Sequence, residues 1–219
     1  MPFNSKLKLL FVHIPKTGGT SLEKYFDMCY AENLWFDRWD RDREMFTKKH
    51  GHLLNGIGFD FEPQHYPAPI LKKFIAEYDV MFKFSFVRHP YTKLLSEYFW
   101  SENKTLTGPS DFDPAHFDFW CQVKLNDRKG SHFEPQVNFI DNAIDFVGRY
   151  EHLAMDFDRL LTTLLRRGFS LPAAQAPKLE KINATGIGKD LLVPLLWGKT
   201  KRLIYKTYRQ DFKHFEYDR

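Results

Sequence analysis

Cysteine is nearly absent, Cys29 and Cys121 being the only two in 219 residues. That excludes a disulfide-stapled scaffold, and neither cysteine has a partner pair at metal-ligand spacing, so a reducing compartment is the default. Charge of one sign is lacking too: 32 basic residues stand against 28 acidic ones, a net +4. A nucleic-acid binder would gather its basic residues into a stripe. The mild excess suits an anionic small molecule or sugar better. The N-terminal stretch has neither a signal-peptide core nor an apolar run long enough to cross a bilayer. No repeat, low-complexity tract or linker divides the chain, and two full domains would each be small at this length, so one domain over 1–219 is expected.

Aromatic residues, by contrast, are plentiful at 17%. Most are expected in the core, while exposed Trp and Tyr near a cleft can stack on sugar rings. Short apolar strands alternate with helical stretches, which predicts an α/β architecture with a mainly parallel sheet. The pattern predicts strands at Lys8–His13, Val80–Val87 and Asp145–Arg149. It predicts helices at Thr20–Tyr30, Ile70–Tyr78, Tyr91–Asn103, Asp113–Leu125, Leu153–Arg167 and Thr200–Phe215. From Glu32 to Pro69 the pattern is irregular and reads as loop and short helix over the mouth of a site.

Two segments carry chemistry. In Phe11-Val12-His13-Ile14-Pro15-Lys16-Thr17-Gly18-Gly19-Thr20-Ser21, an apolar strand runs through a Lys/Gly/hydroxyl turn into a helix. Glycines let the backbone close on an anion, the helix start offers unpaired N–H groups, and Lys16 adds a mobile cation. A Walker A motif places its lysine after the glycines, whereas here it precedes them, which disfavours an ordinary P-loop ATPase. The second segment is Val80 to Val87 followed by Arg88-His89-Pro90-Tyr91-Thr92-Lys93-Leu94-Leu95-Ser96-Glu97-Tyr98. A buried strand delivers Arg88 to its end, and Pro90 opens a helix on which Ser96 sits. Arg88 and Ser96 can converge on one anion. Two anion sites make a doubly phosphorylated ligand the natural expectation.

The chain here resembles the sulfotransferases that use 3′-phosphoadenosine-5′-phosphosulfate (PAPS), and among them the heparan sulfate 2-O-sulfotransferase-like carbohydrate branch. HIPKTGGTS is similar to the family's 5′-phosphosulfate loop and FVRHPYTKLLSEY to its 3′-phosphate segment. Weaker agreement comes from Lys49-His50-Gly51-His52, His132-Phe133-Glu134-Pro135-Gln136, Val147-Gly148-Arg149-Tyr150-Glu151, and a tail with Ile204, Tyr205, Tyr208, Asp211 and Phe212. The resemblance implies a P-loop-NTPase-like three-layer sandwich, its central mainly parallel sheet flanked by helices. It also implies transfer of a sulfonate group from PAPS to a hydroxyl acceptor, a carbohydrate in this branch.

Such a transfer needs in-line positioning, charge stabilisation on the leaving phosphate and removal of the acceptor proton, but no metal or covalent intermediate. Lys16 is the candidate for charge stabilisation. Thr17, Gly18, Gly19, Thr20 and Ser21 are expected to hold the 5′-phosphate, and Arg88 and Ser96 the 3′-phosphate. His52, assisted by His50, is the candidate general base. The bland alternative is a pair of loop histidines without a role, or half of a metal site. His132 and Glu134 are the next candidates, for acceptor or base contacts. Lys181, Asn183 and Thr185 resemble a later nucleotide-contacting loop, against the alternative of a solvated surface. His13 reads as structural.

Golgi members of the family usually carry a membrane anchor ahead of the catalytic domain. A bacterial cytoplasmic enzyme is therefore expected, although a trimmed luminal domain would read the same. Two other classes fit less: an ATP-dependent kinase of unusual loop type explains only the first motif, and a non-catalytic nucleotide- or glycan-binding protein leaves Lys16 and His52 idle. A kinase would also want an acidic magnesium ligand at a strand end, where Arg88 stands instead.

Overall fold

The computed structural model describes residues 3–29, 62–103, 105, 107–170, 179 and 187–219. Four strands form one sheet: β1 (Phe3–Asn4), β2 (Leu9–Val12), β3 (Phe82–Val87) and β4 (Phe146–Arg149), in that spatial order. β1 is antiparallel to β2, and β2, β3 and β4 run parallel, with Val12 opposite Ser85 and Val87 opposite Arg149. The carboxyl ends of three strands thus come side by side, which is where open α/β sheets place their ligands.

The strands are apolar because the sheet is covered on both faces. Along β2, Leu9 and Phe11 join one cluster with Phe82, Phe84 and Phe86, while Leu10 and Val12 join another with Val87. Helices flank both. On the first face lie α1 (Gly19–Cys29), through Leu22 and Phe26, and α5 (Leu153–Arg166), through Leu153, Phe157, Leu160 and Leu164. That helical spacing gives α5 one buried stripe. The second face is covered by α2 (Ala68–Phe74), through Ile70 and Leu71. Gly148 in β4 is required by packing, since a Cβ there would lie 2.4 Å from the Phe86 ring.

A third cluster lies beyond the sheet, where α3 (Pro90–Ser101) packs with α4 (Pro114–Asp127), α6 (Gly198–Thr207) and α7 (Arg209–His214). Tyr98, Phe117, Trp120 and Tyr208 are among its buried members. Pro90 occupies the first turn of α3, and His89 caps it by accepting the Tyr91 amide on Nδ1 (3.2 Å). Asp113 caps α4 in the same way through the amides of Ala115 and His116.

The main elements fall where the pattern predicts, with two corrections. The helix expected over Thr200–Phe215 is two helices, broken at Tyr208 (φ −108°, ψ 27°), whose hydroxyl donates to the Phe133 carbonyl. The helix expected over Ile70–Tyr78 ends at Phe74, and a separate 3₁₀ turn covers Tyr78–Val80. β1 is an addition, too short to leave a periodic signal.

Candidate active site

The loop after β2 climbs over the sheet edge and enters α1. Lys16 adopts φ +66° and Gly18 φ +91°, two left-handed residues that fold the turn back on itself. Gly19 is needed for close approach: a Cβ there would sit 2.0 Å from the His13 imidazole. That imidazole is buried, with Nδ1 2.7 Å from Glu23 Oε1, close enough for a charge contact though not aligned for a hydrogen bond. His13 is therefore the floor of the loop. The Thr17 hydroxyl donates inward to the Ile14 carbonyl at 2.8 Å, so its side chain braces the turn and leaves only its backbone for a ligand. Ser21 is buried, its amide donating to the Gly18 carbonyl, whereas Thr20 is exposed.

Lys16 is half-buried, with its ammonium 4.7 Å from the centre of the Trp100 ring. Burial lowers its pKa to about 8; Glu97 works against that shift, while Arg88 and Lys93 add to it. Such a group is poised to accept a negative charge beside it.

Arg88 leaves the end of β3 and is buried. Its Nε donates to Thr92 Oγ1 (3.1 Å) and its NH1 to the Lys16 carbonyl (3.2 Å), while the guanidinium lies 3.9 Å over the Tyr150 ring. Burial pushes its pKa below the ordinary arginine value. Its backbone is clamped by Gln136, whose Oε1 accepts the Arg88 amide (2.8 Å) and whose Nε2 donates to the Arg88 carbonyl (2.7 Å). Asp211, from α7, accepts the amides of Gln136 (2.9 Å) and Val137 (3.0 Å). The two weak motifs around Gln136 and Asp211 therefore hold Arg88 in place.

On α3 the helical repeat sorts side chains into two adjacent stripes. Thr92, Ser96 and Phe99 form one. It meets Arg88 at Thr92 and, at Phe99, Lys189, whose ammonium lies 4.5 Å from the ring. Ser96, half-buried, stands between them in register. Burial lowers Lys189 to about 8, with Arg88 adding to the shift. The other stripe is Lys93, Glu97 and Trp100, and all three meet His132. Lys93 Nζ donates to the His132 carbonyl (2.7 Å), Glu97 Oε2 lies 2.6 Å from His132 Nδ1, and the Trp100 ring is 5.3 Å from the imidazole. Burial pushes the Glu97 carboxyl up, but the hydrogen bond with His132 and the charges of His132, Lys16 and Lys93 outweigh it and hold the pKa below its usual value. Lys93 is buried, which lowers it to about 8.

The loop, Arg88, Ser96 and His132 are thus brought to one end of the sheet. Glu134 is not part of that cluster's hydrogen bonding: its carboxylate accepts the Asn138 side-chain amide. His50, His52, Lys181, Asn183 and Thr185 lie outside the described residues. Sequence reasoning missed Lys93, Glu97, Trp100, Tyr150 and Lys189; the spacing of Lys93, Glu97 and Trp100 on one helix face was the available signal.

A model of the sulfotransferase family matches residues 2–218, nearly the whole chain. The chain belongs to that family. No curated protein and no solved structure matches it. In this sulfotransferase, Lys16 and Arg88 follow the carboxyl ends of the parallel strands β2 and β3. Among its described residues there is no cluster of metal-binding side chains, and no helix is long and apolar enough to cross a membrane.

Proposed function

We propose that this sulfotransferase takes its sulfonate from PAPS and passes it to a carbohydrate hydroxyl, on a P-loop-like scaffold. The observation that carries the donor assignment is the pair of cation groups on neighbouring strand ends. Lys16 stands over the loop after β2, while Arg88 and Lys189 flank Ser96 beyond β3. A nucleotide with phosphates at both ends of its ribose would answer both groups at once, and a mononucleotide only one. Burial has already weakened the hold of Lys16, Arg88 and Lys189 on their protons, so a bound polyanion would restore what desolvation removed.

In this reading the backbone of Thr17, Gly18, Gly19 and Thr20, with the Ser21 hydroxyl, holds the 5′-phosphosulfate, and Lys16 neutralises charge on the bridging oxygen as the bond to sulfur breaks. Arg88, Ser96 and Lys189 take the 3′-phosphate. The carbohydrate acceptor is supported by the exposed indole of Trp100 beside Lys16, a flat apolar face of the kind on which sugar rings stack.

Calorimetric titration with 3′-phosphoadenosine-5′-phosphate (PAP), AMP, and ATP with magnesium tests the donor assignment without knowledge of the acceptor. Metal-independent binding of PAP, at least about tenfold tighter than AMP and lost in Arg88→Ala, is the expected result. Preference for ATP with magnesium, or equal affinity for PAP and AMP, overturns it.

A further inference from the structure

The Lys93–Glu97–Trp100 stripe and His132 form a unit that donor binding alone does not use. His132 comes from the short 3₁₀ turn Ser131–Phe133, and its side chain is 22% exposed, against 4% for the Glu97 side chain. A buried carboxylate 2.6 Å from Nδ1 fixes the proton on that nitrogen and leaves Nε2 as the basic one. Nε2 has no hydrogen-bond partner among the described residues, and the indole of Trp100 that touches this imidazole also carries the Lys16 ammonium. The imidazole thus stands on the same wall as the cation assigned to the leaving oxygen.

We infer that His132 is the general base that takes the acceptor hydroxyl's proton, with Glu97 as its positioning residue. This rests on the sulfotransferase reading with PAPS as donor. The acceptor oxygen attacks sulfur, forming the new S–O bond, as the bond from sulfur to the 5′-phosphate oxygen breaks and its electron pair leaves on PAP. The acceptor proton passes to His132 Nε2. The resulting imidazolium is paired with Glu97 and later returns the proton to solvent.

The groups around the imidazole suit this role. From α3 it faces Glu97, Lys93 and Trp100, and from the turn Pro63–His65 it faces the edge of His65, ring centres 5.4 Å apart. Burial keeps His65 well below the ordinary imidazole pKa, and its Nδ1–H donates to the His13 carbonyl at 2.9 Å, so it stays neutral and does not repel a charge on His132. Lys93 is directed to the His132 carbonyl, away from the ring nitrogens.

The test follows sulfate released from PAPS, water standing in for the acceptor hydroxyl, alongside PAP calorimetry on the full chain. His132→Ala should bind PAP within about twofold of wild type yet lose tenfold or more of the protein-catalysed release, and added imidazole should restore part of it. Glu97→Gln, which keeps a hydrogen-bond acceptor but removes the charge, should lose less and should gain nothing from imidazole. Unchanged release in His132→Ala overturns the assignment, as does a loss that imidazole does not rescue while PAP binding holds. A wild type that binds PAP but releases no sulfate above the buffer rate also counts against a base here. Failure of wild type to bind PAP overturns the donor reading instead.

Discussion

One helix, α3, serves two regions that differ in how their charges are balanced. On the Thr92/Ser96/Phe99 side, Arg88 hydrogen-bonds to a threonine hydroxyl and a backbone carbonyl, and Lys189 rests on a phenylalanine ring and a carbonyl. No carboxylate pairs with the Arg88 guanidinium among the described residues. On the Lys93/Glu97/Trp100 side, a buried carboxylate sits between an imidazole and two lysines. The first region thus holds a buried guanidinium, which is costly until a ligand brings the anion. The second holds a carboxylate directly against its cations, balanced in the sense that a charge formed on the imidazole meets Glu97 at once. In the proposed reading, binding and proton transfer are thus separated by a rotation of one residue around a helix.

Lys16 is the sharpest test of that division, since it belongs to the binding loop but faces the balanced side. Lys16→Ala should cut turnover of PAPS by about 10²–10³-fold, the loss typical of a group acting mainly in the transition state. PAP affinity, read by calorimetry, should fall far less, and the thermal midpoint should stay within a few degrees of wild type. Equal losses of affinity and turnover would place Lys16 with Arg88 as a plain binding group.

The unbalanced side should also show in its pH dependence. Lys16 and Lys189, the lysines assigned to the donor, titrate near 8 in the free protein. An anion binds the protonated forms, so PAP affinity should be highest below pH 7 and fall progressively as pH rises through about 8. Binding at pH 8 to 9 should take up protons. Calorimetry at pH 8.5 in two buffers of different ionisation enthalpy reads that uptake directly, and a result independent of buffer would mean that PAP does not meet these lysines.

The smallest expected effect is on the support beneath the binding side. Asp211→Asn leaves the shape of the side chain but turns one acceptor into a donor facing the Gln136 or Val137 amide. We expect a loss of about 1–3 kcal/mol, measured by denaturant unfolding. PAP binding should weaken through Gln136 and Arg88, while imidazole rescue of His132→Ala should persist in the double variant.

The sequence made the binding side legible because its chemistry is local. A strand, a glycine turn and a helix lie in one stretch, and Arg88 directly follows an apolar run that can only be a buried strand. The balanced side was mostly hidden. Lys93 and Glu97 look like an ordinary solvated helix face, and only the packing of the His132 turn against α3 reveals that they are buried. The break at Tyr208 escaped for a related reason. Tyr208, Phe212 and Phe215 all turn inward, so burial periodicity runs through a point where the hydrogen-bond ladder does not.

The chain of supports from Asp211 to Gln136 to Arg88 also sets an order of assembly during synthesis. The lysine loop emerges from the ribosome early, but the arginine arm cannot be locked until α7 has been made, since Asp211 supplies the carboxylate that orients the Gln136 turn. In the proposed reading, a nascent or prematurely terminated chain would therefore display the phosphate loop without the arm assigned to the second phosphate. Under the proposed donor assignment, selectivity for a doubly phosphorylated nucleotide is thereby a property of the finished polypeptide.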